Sequence, residues 1–280
     1  MDKLLIVDGM NLLFQMFYGM PARILNSRGR PVQGTVGFVG ALLKTIRMIC
    51  PTHVLVIFDG ETTNERKELD PSYKANRPDY SAMEEDQTPF SQLTDIYAAL
   101  DFLGICYRET ESCEADDWIA GYARNLSEMM EVVICSQDSD FFQLIDPWVS
   151  VFRYRGKVST LWDEDAVFRR FGVRADQYAD FKCLVGDTAD NIPGARGVGP
   201  KTAAKLLSRF GSLQNVIERV EEIERPFIRR SVAVSAERLV HNQALIRLEW
   251  KGDLPFSPEE LLWEDPGISS AEVLREIELW

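Results

Sequence analysis

The sequence predicts an α/β fold: a mainly parallel sheet with helices on both faces, followed by a helical subdomain. Three short, almost continuous apolar runs, at residues 3–8, 53–59 and 131–136, have the pattern of strands buried on both faces. Segments of helical apolar spacing lie between them, the alternation that builds a parallel sheet. From about Asp163 the strand signals stop and the helical ones continue, so residues 1–165 form the sheet unit and 166–280 the helical one. A chain of 280 residues is long enough for both.

Taken in order, K-L-L-I-V-D at 3–8 is the first strand, with Asp8 at its C-terminal end, and a helix is expected over 11–18. Gly, Pro and charge make 26–34 a loop. Val36, Val39, Leu43, Ile46 and Ile49 line one stripe of the next helix, where Gly37 and Gly40 admit a close neighbour. H-V-L-V-I-F-D at 53–59 repeats the strand and ends in Asp59. Residues 61–89 are charged, poor in branched apolar side chains, and broken by Pro71, Pro78 and Pro89; a segment of that length is a functional lid or disordered. A helix over 94–103 is ended by Gly104, and 106–108 is a short strand. Residues 131–136 make a strand followed by Asp138 and Asp140, and 149–154 a further one.

Between these strands lies S-C-E-A-D-D at 112–117. Trp118, Ile119, Tyr122 and Leu126 have helical spacing, so Glu114, Asp116 and Asp117 sit at a helix start and share an arc of roughly 160°. An acidic first turn is stabilised by the helix dipole at up to about 1 kcal/mol per charge, which is reason enough for one such cluster. In the helical half, G-D-T-A-D-N at 186–191 places Asp187 and Asp190 three apart, on one helical face. G-A-R-G-V-G-P-K at 194–201 is a glycine turn that exposes backbone N–H groups, with Pro200 suited to the first helical position. Ala203, Leu206, Leu207 and Phe210 form the apolar side of that helix, Lys201, Lys205 and Arg209 another side, and Gly211 ends it.

Composition removes several function classes. The chain is 45% hydrophobic and 27% charged, the balance of a soluble globular protein. Its apolar runs are too short for a membrane span, and the first eight residues lack a signal-peptide pattern. Five scattered cysteines without C-x-x-C spacing read as reduced thiols of a cytoplasmic protein. The two histidines, His53 and His241, lie outside every cluster, which argues against a histidine triad or a histidine-rich zinc site. A net charge of −13 argues against nucleic acid unless acids hold metal.

Nine carboxylates converge in the expected fold: Asp8, Asp59, Glu114, Asp116, Asp117, Asp138, Asp140, Asp187 and Asp190. Two like charges 4 Å apart repel by about 4 kcal/mol at an effective dielectric of 20, so such a group must protonate or bind cations. All-oxygen ligands select Mg²⁺ or Mn²⁺, and so many suit two ions about 3.5–4 Å apart, the arrangement that hydrolyses phosphodiesters.

With E-A-D-D at 114–117, D-x-D at 138–140 and G-D-T-A-D-N-I-P-G-A-R-G-V-G-P-K-T-A-A at 186–204, the chain resembles, over essentially its whole length, the bacterial 5′–3′ exonuclease and flap endonuclease family. The family includes stand-alone relatives of the 5′ nuclease domain of DNA polymerase I. The resemblance implies a PIN-like nuclease core whose metal clusters use all nine acids. It implies a helical arch at about 61–89, with Y-K-A-N-R at 73–77 as its motif. Lys74 and Arg77 would contact the scissile phosphate, Tyr73 would stack on a base, and Arg66 would be a further basic contact. It also implies a helix–three-turn–helix at about 182–211 that grips duplex DNA through Gly197, Gly199, Lys201, Thr202, Lys205 and Arg209 and holds K⁺ on loop carbonyls. The activity implied is a Mg²⁺- or Mn²⁺-dependent 5′–3′ exonuclease and 5′ flap endonuclease, monomeric, acting in replication and repair. Its substrates would be branched or nicked duplexes with a 5′ single strand, or RNA–DNA hybrid.

The chain departs from that pattern at Ser139, where lysine is frequent, in 62–64, which lack an aromatic before Arg66, and in the acidic run 84–86. A branched-DNA binder without cleavage would show substitutions among the nine acids, and none is present. A PIN-type ribonuclease shares sheet and acids; the glycine turn with its basic helix favours a duplex-binding nuclease.

Overall fold

The computed structural model describes residues 2–60, 65–80, 83–84, 87–250 and 252–279. The sequence departures at 62–64 and at Glu85 and Asp86 lie outside the described residues.

The sheet is built from β1 (Lys3–Asp8), β2 (His53–Phe58), β3 (Cys106–Glu109), β4 (Glu131–Cys135), β5 (Val149–Arg153) and β6 (Thr160–Trp162) in the order β3-β2-β1-β4-β5-β6. All neighbours pair in parallel except β6, which runs antiparallel to β5. Parallel strands need both faces covered, and the burial follows: Leu4, Leu5, Ile6, Val7 and Val54 to Phe58 are fully buried. Alternation sends Leu5, Val7, Val56 and Phe58 to one core and Leu4, Ile6, Leu55 and Ile57 to the other. Each such side chain, fully buried, contributes about 1.5–3 kcal/mol of transfer free energy.

The first core is closed by α1 (Gly9–Gly19), α2 (Gln33–Ile49) and α4 (Leu93–Leu103). Gly37 of α2 packs on α1, since a Cβ there would lie 2.7 Å from the Met16 Cβ; Gly40, expected to admit a neighbour as well, faces open space. The second core is closed by α5 (Ala115–Leu126) and by the helical half: α6 (Glu164–Phe171), α7 (Tyr178–Val185), α8 (Pro200–Phe210), α9 (Leu213–Glu218) and α10 (Pro226–Ile246). The last stretch leaves that half again. Leu262 bridges to His53, the Trp263 indole N–H donates to the Leu103 carbonyl at 2.8 Å, and α11 (Ser270–Glu276) buries Val273 and Leu274 against the first core. The tail of the segment assigned to 166–280 therefore packs on the sheet unit.

The arch was expected over about 61–89, of which 65–80, 83–84 and 87–89 are described. Its described part holds a five-residue helix, α3 (Glu65–Leu69), then turns through residue 76, and at its end the start of a 3-10 helix, Pro89–Gln92. Pro71 cannot donate within a helix, Asp70 accepts from the Ser72 N–H at 2.8 Å, and Lys74 takes φ 56°, each incompatible with helix continuation. These turns are fastened to the helical half. The Lys74 N–H donates to the Asp190 carbonyl at 3.0 Å, Asn76 Nδ2 to the Thr188 carbonyl and Asn191 Nδ2 to the Ser72 carbonyl, both at 2.9 Å.

Candidate active site

The order β3-β2-β1-β4-β5 reverses direction between β1 and β4, and ligands of parallel sheets bind beyond the strand C-termini at such a point. Asp8 ends β1 there. It accepts from the Asn11 N–H at 3.0 Å, which caps α1, and from the Ser136 hydroxyl at 2.8 Å. Ser136 also accepts from the Asp138 N–H at 3.0 Å, and Asp138 in turn from the Asp140 N–H at 2.8 Å, so one chain of bonds fixes three acids beside one another. Asp59 follows β2 and accepts from the Ala115 N–H at 2.8 Å, supplying α5 with the cap that its own N-cap side chain, Glu114, does not.

The electrostatics show which acids face each other. Burial and then Asp59 push the Asp8 carboxyl up to about 7. Burial raises Asp59 too, and burial, Asp138 and Asp8 hold Asp116 well above the usual carboxylate range. Asp8, Asp59, Asp116 and Asp138 thus form one group. Asp140, pushed up to about 7 by burial and Asp138, belongs equally to a second, in which ligand oxygens of Asp140, Asp187 and Asp190 lie within 4.8 Å of one another.

Asp187 and Asp190 correct the sequence reading. They stand not on a helical face but on the tight hairpin of β7 (Gly186–Asp187) and β8 (Ile192–Pro193). Gly186 at φ 88° ends α7, and a Cβ on it would lie 2.5 Å from the Gly194 nitrogen, so the close hairpin requires glycine.

Among the described residues, four cations are lodged against these acids. Lys182 of α7, absent from the sequence reading, is buried between Asp140 and Asp187 and bonded to both; burial works against its charge, but the two carboxylates outweigh it and raise its pKa. It could have been suspected as a lysine in the apolar stretch F-K-C-L-V just before Asp187. Lys74 Nζ lies 2.5 Å from Glu114, and Arg77 2.7 Å from Asp190. Although burial pushes Glu114 up, Lys74 and Arg66 hold it below its ordinary value; Lys182 does the same for Asp187.

Arg66 and Tyr73 are not surface contacts. Arg66 is 8% exposed and forks onto Asp117 at 2.6 and 2.7 Å, with Glu114 at 3.0 Å. Both Asp117 oxygens accept from that guanidinium, as both Glu114 oxygens accept from Lys74, Arg66 and Tyr73. Tyr73 is 4% exposed, packed in the second core with its hydroxyl donating to Glu114 at 3.2 Å, and presents no ring face to a base.

The proposed duplex-binding turn keeps its expected form. Gly199 is the N-cap and Pro200 the first residue of α8; Ala203, Leu206, Leu207 and Phe210 are buried, and Lys201, Lys205 and Arg209 are exposed. Gly197 has φ 79° and lies against Phe227, where a Cβ would come within 2.5 Å of the ring. Thr202 is half-buried on the first turn, and Arg209 pairs with Glu224 at 3.0 Å.

Comparison with known proteins follows the same two units. Residues 3–172 match the 5′–3′ exonuclease N-terminal resolvase-like domain, and 173–268 the 5′–3′ exonuclease C-terminal SAM fold. The 5′–3′ exonuclease of Aquifex aeolicus is 31% identical over 281 residues, covering 100% of this chain and 93% of that protein. The thermostable DNA polymerase I of Thermus thermophilus is 34% identical over 268 residues, 94% of this chain but 30% of the polymerase, so the chain spans under a third of that relative. Among solved structures, the D15 flap endonuclease of bacteriophage T5, in a pseudo-enzyme–product complex with DNA and metal ions, superposes with a TM-score of 0.70 at 22% identity. That match covers 88% of this chain and 89% of the T5 chain.

Proposed function

The chain belongs to the 5′–3′ exonuclease family, and from that premise we propose that it is a divalent-metal-dependent, structure-specific 5′ nuclease. It acts as a 5′–3′ exonuclease and 5′ flap endonuclease on branched or nicked duplex DNA, and on RNA–DNA hybrid. The observation that carries this reading is the crowding of acids at the sheet switch point, with Asp140, Asp187 and Asp190 within 4.8 Å of one another.

These residues fit hard divalent ions. The donors are all carboxylate oxygens, and in the protein alone Asp8 and Asp140 hold their protons up to about 7 while Lys182 and Lys74 lie against their neighbours. Asp8, Asp59, Glu114, Asp116, Asp117, Asp138, Asp140, Asp187 and Asp190 would hold Mg²⁺ or Mn²⁺, Glu114 and Asp117 while sharing their oxygens with Lys74 and Arg66. Bound there, such ions supply a hydroxide nucleophile and stabilise charge on the leaving oxygen.

The chain's own residues do the rest. Ser136 orients Asp8, and the α5 N-terminus orients Asp59. Lys74 and Arg77 exchange their carboxylate partners for the scissile phosphate, where a preplaced cation lowers the energy of the developing charge. The glycine turn at 194–199 and the exposed Lys201, Thr202, Lys205 and Arg209 grip the duplex strand through its phosphates. K⁺ on carbonyls of that turn belongs to the same proposal, as does action as a monomer in the cytoplasm, in replication and repair. No described helix is long and apolar enough to cross a membrane. Digestion of end-labelled flap, nicked and single-stranded substrates with Mg²⁺, Mn²⁺ or EDTA tests the reading. Metal-dependent release of 5′ products supports it, and no cleavage of any 5′-ended substrate overturns it.

A further inference from the structure

Every cation described at the acid cluster so far is paired with a carboxylate: Arg66 with Asp117, Lys74 with Glu114, Arg77 with Asp190, Lys182 with Asp140 and Asp187. Arg153 is different. It is the last residue of β5, at the C-terminal edge of the sheet where the acids gather, and close enough to Asp138 for that charge to act on it. Among the described residues no carboxylate comes within ion-pair distance of it, and its Nε is buried without a partner. Its guanidinium lies 4.7 Å from the Phe142 ring centre and 5.3 Å from that of Trp162, two rings stacked on each other at 4.6 Å.

A half-buried guanidinium that no acid neutralises is costly, and here burial lowers its pKa. Two stacked rings offset part of that cost and hold the planar group in one place, so little side-chain freedom remains to be lost when an anion arrives. Tyr178, Asp138 and Arg155 are the charged or titratable groups that act on it, and the acids beyond Asp138 repel anions, so the anion must be one drawn to the site for another reason. Resting on the nuclease reading above, we propose that Arg153 is a phosphate contact for the substrate strand, holding one phosphodiester on the β5 side of Asp138. The aromatic pair Phe142–Trp162 is its positioning platform.

Arg153→Met keeps stem length and ring contact and removes the charge; Arg153→Lys keeps the charge and loses the planar fit. Binding of a 5′-flap duplex is measured by anisotropy in Ca²⁺ across a salt series, beside single-turnover cleavage in Mg²⁺ and thermal melting. A lost phosphate contact lowers the salt slope by about 1. The expected result is that fall for Arg153→Met, a retained slope for Arg153→Lys, and a cleavage loss in both. In a scan of methylphosphonate linkages, one position should weaken binding to the wild type and Arg153→Lys but not to Arg153→Met. An unchanged slope with wild-type cleavage in Arg153→Met overturns the inference. Should Arg153→Met not fold, wild-type single-turnover cleavage in Arg153→Lys overturns it equally. Wild type that neither binds nor cleaves 5′-ended DNA defeats the nuclease reading instead, so the two failures are distinct.

Discussion

Lys74 is bound to Glu114 through its side chain, Nζ to Oε1 at 2.5 Å, and to the Asp190 carbonyl through its backbone. One residue thereby ties the turn after α3 to the helix start and to the hairpin. Its φ of 56° is a conformation that costs a non-glycine residue about 1–3 kcal/mol, offset by those two bonds. A cation held there by two bonds against that cost, and surrounded by acids, suits a role in charge stabilisation. Lys74→Ala should lower single-turnover cleavage about 10²- to 10³-fold, the range for removing a preplaced donor, with affinity in Ca²⁺ changing far less. Equal losses in both would make Lys74 a binding contact only.

Arg66 was expected on the DNA face and lies instead under α5, forked onto Asp117. Removing one member of a buried ion pair leaves the other charge uncompensated, at about 3–5 kcal/mol. Arg66→Ala should therefore melt well below the wild type, while the salt slope of duplex binding stays unchanged at a temperature where the variant is folded. Arg66→Met combined with Asp117→Leu should recover most of the stability, since apolar replacements of a buried pair are often neutral. A lowered slope in Arg66→Ala would return the residue to the DNA interface.

The contrast between Arg66 and Lys201 marks what the sequence made legible. Strands were readable because residues buried on both faces leave unbroken apolar runs, and the α8 turn because Gly197 and Gly211 take positive φ and Pro200 suits the first helical position. Asp8, Asp59 and Asp138 were readable because a strand end fixes where a side chain stands. Asp187 and Asp190 were found as acids but misplaced, since spacing of three fits a helix and a tight hairpin alike; the deciding fact, Gly186 at positive φ beside Gly194, is tertiary. Lys182, Ser136 and Arg153 escaped notice because each acts through a neighbour distant in sequence. Arg66 and Tyr73 misled because a charged, proline-broken segment reads the same whether it stands over a site or folds into it.

Lys201 and Lys205 are exposed on α8 beside the glycine turn. Their joint replacement by Ala should weaken duplex binding and lower the salt slope by about 1–2, each lost phosphate contact reducing counterion release by just under one. The helix itself should persist, because Ala is the better helix former and the apolar side is untouched. An unchanged slope assigns both lysines to an ordinary solvated face.

Asp116 stands among Asp8, Asp59 and Asp138, with its carboxyl held well above the usual range. Asp116→Asn keeps the shape and removes one negative charge. Cleavage should collapse by orders of magnitude, affinity for a flap substrate in Ca²⁺ should hold or improve, and the metal-free protein should melt higher because repulsion falls. A mere helix-start charge predicts the reverse: normal cleavage and a loss of at most about 1 kcal/mol. The melting temperature and the cleavage rate thus separate the two roles by sign.

The same repulsion sets a pH dependence. Asp8 and Asp140 titrate near 7 in the folded protein against 3.8 for an ordinary aspartate, and Asp116 is shifted in the same direction. Between about pH 4 and 7 the folded chain therefore holds protons that the unfolded chain has released, so metal-free stability falls as pH rises through that window. Glu114 and Asp187, held low by Lys74 and Lys182, act oppositely, and their contribution disappears only as pH falls below the ordinary carboxylate range. Mg²⁺ binds the ionised acids and relieves the repulsion, so it stabilises more strongly the more of them are ionised. Melting temperatures at pH 5, 6 and 7, with and without Mg²⁺, should show a gap that widens from about pH 5 to 7. A gap that stays constant or narrows over that range would mean that these carboxylates are not the groups to which the metal binds.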